Sequence, residues 1–124
     1  MKKKQVLFLI ALLLNLLTSP TFAQKKVLTD EEEVTEMVIN EIDEVLKSVD
    51  FLKKKDKKFK EVKGTIIVDI GVVQNGKVST FFKVDSDTNN PMFTNFLSEF
   101  ILDHKFYFKL QKQQRYKIRY TAIF

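Results

Sequence analysis

The run from Gly64 to Phe124 reads as a strand, a tight hairpin, a second strand, a helix and a long alternating strand. That order constrains the fold more than any other feature of the chain, because it builds a small sheet whose final strand is left at an edge. Thr65 to Val73 places Ile66, Val68, Ile70 and Val72 on one face, the period of a half-buried strand. Asn75-Gly76 follows, the strongest short hairpin cue. Side-chain chemistry selects the register. A two-residue loop sets Val72 opposite Ser79 and Val68 opposite Lys83. A three-residue loop, Gln74-Asn75-Gly76, sets Val72 opposite Val78, Val68 opposite Phe82 and Ile66 opposite Val84. Only the second gathers an apolar face, and a slip of one residue turns every side chain over. The expectation is a type I turn with Gly76 left-handed in a bulge.

Asp85 to Pro91 is a polar loop, and Asn90-Pro91 suits a helix cap followed by proline at the first position. The helix is expected to run to about Asp103, with Phe93, Phe96, Leu97, Phe100 and Ile101 as its stripe. Phe106, Tyr107 and Phe108 form an aromatic connector. Residues 113–123 then alternate, with Tyr116, Ile118, Tyr120, Ala122 and the following Phe124 on one face and Arg115, Lys117, Arg119 and Thr121 on the other. The second strand runs opposite to the first, and the helix carries the chain back. The last strand is therefore antiparallel to the first and lies beside it. The fold class expected is α+β: a two-layer ββαβ unit with an antiparallel three-stranded sheet in the order 2-1-3, and an additional N-terminal amphipathic helix.

That helix is expected over 29–50. Thr29 and Glu32 fit a capping box, and Val34, Val38, Ile42, Val45 and Val49 fall at helical spacing. Asp30, Glu31, Glu32, Glu33, Glu36, Glu41, Asp43 and Glu44 read as its solvent face. Residues 51–63 reverse the sign, with seven lysines against Asp56 and Glu61. They read as a connector, either a solvated counterweight to the acidic helix or a patch for an anionic partner. Phe51, Leu52, Phe59 and Val62 are available to dock it.

Residues 1–23 have the pattern of a secretory signal: Lys2, Lys3 and Lys4, then the apolar run Val6 to Leu17, then Thr21-Phe22-Ala23. The apolar run is shorter than the ~20 residues needed to span a bilayer. The full chain carries 21 Lys+Arg and 16 Asp+Glu, a net of +5. Without the three signal lysines it holds 18 basic against 16 acidic side chains, a net of +2. That balance gives little support to nucleic-acid binding. No cysteine is present, so an exported domain of this size has to be held by a hydrophobic core. The organisation expected is a signal peptide at 1–23, an acidic helix with a Lys-rich connector at 24–63, and the sheet and helix of 64–124, the last two forming one domain. The mature chain is expected in the periplasm or secreted, with no spanning helix.

Taken in order, several of these features resemble the TonB C-terminal domain. They are closer still to the TonB-like C-terminal domains of gliding-motility and related envelope proteins. The shared pattern is Gly64 opening the strand Ile66-Val68-Ile70-Val72, then Asn75-Gly76, Val78, Val84, Ser86, Asn90-Pro91, Phe106-Tyr107-Phe108 and a last strand from Tyr120 to Phe124. The helix upstream of Gly64 fits as well. The resemblance implies a periplasmic interaction domain whose last strand pairs with a short segment of an envelope protein, such as an outer-membrane receptor or a motility or transport component. The chain departs from TonB itself in its lack of a retained membrane helix and a Pro-rich spacer, and Lys109 stands where a proline is expected. Fold and binding mode are carried over, and energy transduction is not.

No set of residues reads as catalytic, and neither a metal nor a cofactor is expected. His104 is the single histidine and has no thiol to work with. Asp85-Ser86-Asp87-Thr88-Asn89 resembles the start of a calcium loop, but Asn90 and Phe96 stand where a glycine and an acid are required. The expected partner-binding residues are Arg115, Lys117, Arg119 and Thr121 on the last strand, with Asn75 and Gly76 as the structural turn. Edge cations also deter unwanted pairing. The opposite face of the sheet, with Ile67, Val73 and Phe81, is either a partner surface or covered by the first helix. Two alternatives remain from sequence: a secreted small-ligand or ion binder using the 85–91 loop, and a homodimer through the last strands.

Overall fold

The computed structural model describes residues 25–88 and 90–124; the signal segment expected at 1–23 lies outside the described residues. The protein is α+β; the described residues form three helices, a three-stranded antiparallel sheet and a separate pair of short parallel strands. In chain order the elements are β1 (Lys26–Leu28), α1 (Glu31–Lys47), α2 (Val49–Lys58), β2 (Thr65–Val73), β3 (Val78–Ser86), α3 (Pro91–Asp103), β4 (Phe108–Leu110) and β5 (Arg115–Ile123).

Helix α1 starts one residue later than the capping-box reading. Asp30 is the cap, its Oδ1 accepting from the Glu32 amide at 3.2 Å. Glu31, Glu32 and Glu33 fill the first turn, where the helix dipole favours anions. Val34, Val38 and Ile42 are fully buried. The helix expected to reach residue 50 stops at Lys47. Ser48 has extended dihedrals; its Oγ donates to the Val45 carbonyl at 2.7 Å and accepts from the Phe51 amide at 3.2 Å. One hydroxyl thus closes α1 and caps α2, the local competition with the backbone that serine offers.

The Lys-rich stretch expected as a connector is helical from Val49 to Lys58. Lysine is a good helix former, and a run of charge says nothing against helix. None of the lysines at 53–63 forms an ion pair with an acid of α1 among the described residues; the pair in this segment is Lys54–Asp50 at 3.4 Å. What docks α2 is Phe51. Its ring stacks on Phe96 at 5.3 Å, meets Phe100 edge-on at 5.1 Å and lies 6.2 Å from Phe124. Phe59 joins the same cluster through Phe93 and Phe96.

Strand β2 is central, and the sheet order is β3-β2-β5. Ile66, Val68, Ile70 and Val72 are fully buried and face Ala122, Tyr120, Ile118 and Tyr116 of β5. Helix α1 packs against β5 and α3 against β3. Helix α3 begins as its sequence dictates: Pro91 is at the start, and the Asn90 side chain accepts from the Phe93 amide at 3.1 Å.

The hairpin closes with the Val73 amide bonded to the Lys77 carbonyl, and Gly76 has φ 79°. Val72 faces Val78, but the register then departs from the sequence reading. Bulges between Gly71 and Val72 and between Ile67 and Val68 put Val68 opposite Lys83 and Ile66 opposite Ser86. Each bulge inserts an extra residue and turns the strand. Phe81 consequently joins the core side, opposite Ile70, while Phe82 emerges on the far face opposite Asp69 and is 67% exposed. Helix α1 does not cover that far face.

The pair β1–β4 had no signal in the sequence. Lys26, Val27 and Leu28 run parallel to Phe108, Lys109 and Leu110, and Leu28, Phe108 and Leu110 are buried. Amides of Phe106 and Leu110 bond the carbonyls of Gly76 and Gln74 at 2.8 and 2.9 Å, tying this pair to the hairpin tip.

Candidate functional site

Strand β5 pairs with β2 over nine residues without a bulge. Gly64 and Phe124 exchange both backbone hydrogen bonds, at 3.0 and 2.8 Å. Antiparallel ladders alternate such pairs with unbonded ones. The even-numbered residues 116–124 therefore aim their backbone groups at β2. Arg115, Lys117, Arg119, Thr121 and Ile123 aim theirs away from the sheet, and among the described residues no strand pairs with them. The other edge, β3, is interrupted by its two bulges, a device that blunts pairing. A straight free edge about 30 Å long is left along β5.

The four residues singled out from sequence all lie on this strand and point to the far face, where they are exposed. Their roles divide. Arg119 is already engaged across the sheet: Nε donates to Asp69 Oδ1 at 3.0 Å and Nη2 to Oδ2 at 3.3 Å. This hydrogen bond, with the added attraction of Arg119 and Lys117, holds the Asp69 carboxyl below the usual carboxylate range. The same bond raises the affinity of Arg119 for its proton. Arg115 and Lys117 have no ion-pair partner among the described residues. Thr121 sits at the rim of a groove.

That groove was not foreseen. It runs between the C-terminal half of β5 and the α1–α2 corner, with a volume of about 440 Å³. Leu46, Leu52, Ile123 and Phe124 supply its apolar wall and Lys47 stands at its rim. Ile123 is 78% exposed and Leu52 51%. In sequence these residues belong to three separate segments, the acidic helix, the Lys-rich stretch and the last strand, and only the break at Ser48 brings Leu52 beside β5. Tyr120 fixes the distance between the layers by donating its hydroxyl to Asp43 Oδ1 on α1. Burial, followed by that bond, pushes the Tyr120 phenol well above its usual range, so it remains a donor.

The remaining candidates are occupied by the fold. Asn75 Oδ1 accepts from the Lys77 amide at 3.2 Å and Gly76 makes the turn. His104 Nε2 lies 2.9 Å from Glu41 Oε1, and the Tyr107 amide donates to the same carboxylate at 3.2 and 3.3 Å. Glu41 is buried at 6% exposure, although its charge assigned it to the solvent face. Its position did carry a signal, seven residues after Val34 and three after Val38, within the apolar stripe. Glu41→Ala leaves the Tyr107 N–H and the His104 ring without their acceptor and is expected to lower stability by about 2–3 kcal/mol; chemical denaturation measures this. In the 85–91 loop, Asp87 Oδ1 accepts from the Thr65 amide at 2.6 Å, closing the loop onto the start of β2.

Comparison with protein-family models, with curated proteins and with solved structures finds no match for this chain.

Proposed function

We propose that this chain is an exported protein-interaction module of the TonB C-terminal kind, built on a ββαβ core in the order 2-1-3. It binds another envelope protein by accepting a strand at the β5 edge, without energy transduction of its own. The observation that carries this reading is the bulge-free outer edge of β5, whose backbone groups at Arg115, Lys117, Arg119, Thr121 and Ile123 have no strand partner among the described residues. Strand addition takes its affinity from main-chain hydrogen bonds and its specificity from alternate side chains. Self-pairing of β5 is less favoured, since antiparallel pairing in full overlap sets Arg119 against Arg119, and like charges directly opposite are destabilising.

Proline at Lys117 tests the reading. The Lys117 N–H points outward, so Lys117→Pro removes an edge donor without taking a bond from the β2 ladder, a position where strands tolerate proline. A crosslinked pull-down of the tagged chain from its own cells is expected to recover an envelope protein. Lys117→Pro is expected to lose that protein while keeping the wild-type circular dichroism spectrum. Retention of the partner by a folded Lys117→Pro variant overturns edge pairing. Recovery of the chain alone, with a dimer by light scattering, favours the homodimer.

A further inference from the structure

The two sides of the β5 edge differ in chemistry, and the difference specifies what kind of segment fits. On the far face, the side chains that would flank an added strand are Arg115 and Lys117, both exposed and free of ion pairs among the described residues, with Arg119 held by Asp69. On the helix face, the neighbour is the apolar groove of Leu46, Leu52 and Phe124. Successive residues of a strand alternate between these two faces. We infer that the β5 edge selects an extended segment with acidic residues on one face and aliphatic residues on the other. The inference rests on the edge-pairing reading and adds the partner's chemistry to it.

Complementarity has to hold on both faces at once. Side chains directly across a strand pair approach to ~5 Å, close enough for opposite charges to attract and like charges to repel. Acids opposite Arg115 and Lys117 satisfy two cations left open by the fold. Aliphatic residues on the other face cover Leu52, which the chain by itself leaves in water. A segment of uniform polarity satisfies one face and strands the other. The ionic part of the preference weakens with salt, because these cations are exposed.

The experiment uses three fluorescent seven-residue peptides, capped at both ends: alternating Glu/Val, alternating Lys/Val and alternating Glu/Ser. Binding to the purified chain is followed by polarisation. The Glu/Val peptide is expected to bind about tenfold more tightly than either of the others. Arg115→Glu with Lys117→Glu is expected to reverse the order of Glu/Val and Lys/Val. Leu52→Asp, at an exposed position, is expected to remove the advantage of Glu/Val over Glu/Ser. Equal binding of Glu/Val and Lys/Val, lost in Lys117→Pro, overturns the inferred chemistry while edge pairing stands. Binding that Lys117→Pro leaves unchanged, or no binding of any peptide, overturns both.

Discussion

Alanine at Phe51 is expected to lower the stability of the domain by about 3–5 kcal/mol, the range for removing a fully buried phenylalanine. Phe51 is the side chain through which α2 reaches the core. It touches Phe96 and Phe100 of α3 and Phe124 at the end of β5, so one truncation loosens three elements. For a domain of about a hundred residues, the melting temperature should fall by on the order of 15 °C or more. Thermal unfolding followed by circular dichroism measures it. Phe59→Ala, at a partly exposed position of the same cluster, should cost clearly less. A loss below about 1 kcal/mol at Phe51 would mean that α2 is not docked as described. The consequence reaches function, because α2 contributes Leu52 to the groove beside β5.

Gly76→Ala is expected to destabilise by about 3 kcal/mol, combining the left-handed backbone penalty with overpacking. Gly76 has φ 79°, and a Cβ placed there would lie 2.3 Å from the Phe108 carbonyl oxygen. That oxygen belongs to backbone and has no side-chain rotamer by which to retreat. The 106–110 segment would have to leave the hairpin tip, weakening the bonds from Phe106 to Gly76 and from Leu110 to Gln74. Hydrogen exchange should locate the damage: faster exchange at Phe106 and Leu110, with protection kept in the β2–β5 ladder. Uniform loss of protection would contradict a local effect.

Local chemistry made much of this architecture legible. The alternation at 65–73, the Asn75-Gly76 turn, the Asn90-Pro91 cap and the stripe of α3 are short-range signals, and each appears in the structure where its residues place it. The failures share one character: each was decided by a contact between residues distant in sequence or by an irregularity of backbone. The register of β3 followed apolar residues and missed its bulges, because a bulge leaves no mark in composition. Glu41 was given to solvent because its charge outweighed its position, and its partners at His104 and Tyr107 lie more than sixty residues away. The strands β1 and β4 are three residues each, too short for periodicity, and exist only as a pair.

For the candidate site the division is sharper. Sequence by itself determined the long alternating strand, its row of Arg115, Lys117, Arg119 and Thr121, and the direction that sends it to the edge of the sheet, since alternation and connectivity are properties of one chain segment. Tertiary structure alone decided which of those cations are free, because Asp69 on the neighbouring strand takes Arg119. It also decided that Ser48 turns α2 back so that Leu52, Ile123 and Phe124 meet around a groove. Those outcomes depend on how layers pack, and packing brings together residues whose spacing along the chain carries no record of it.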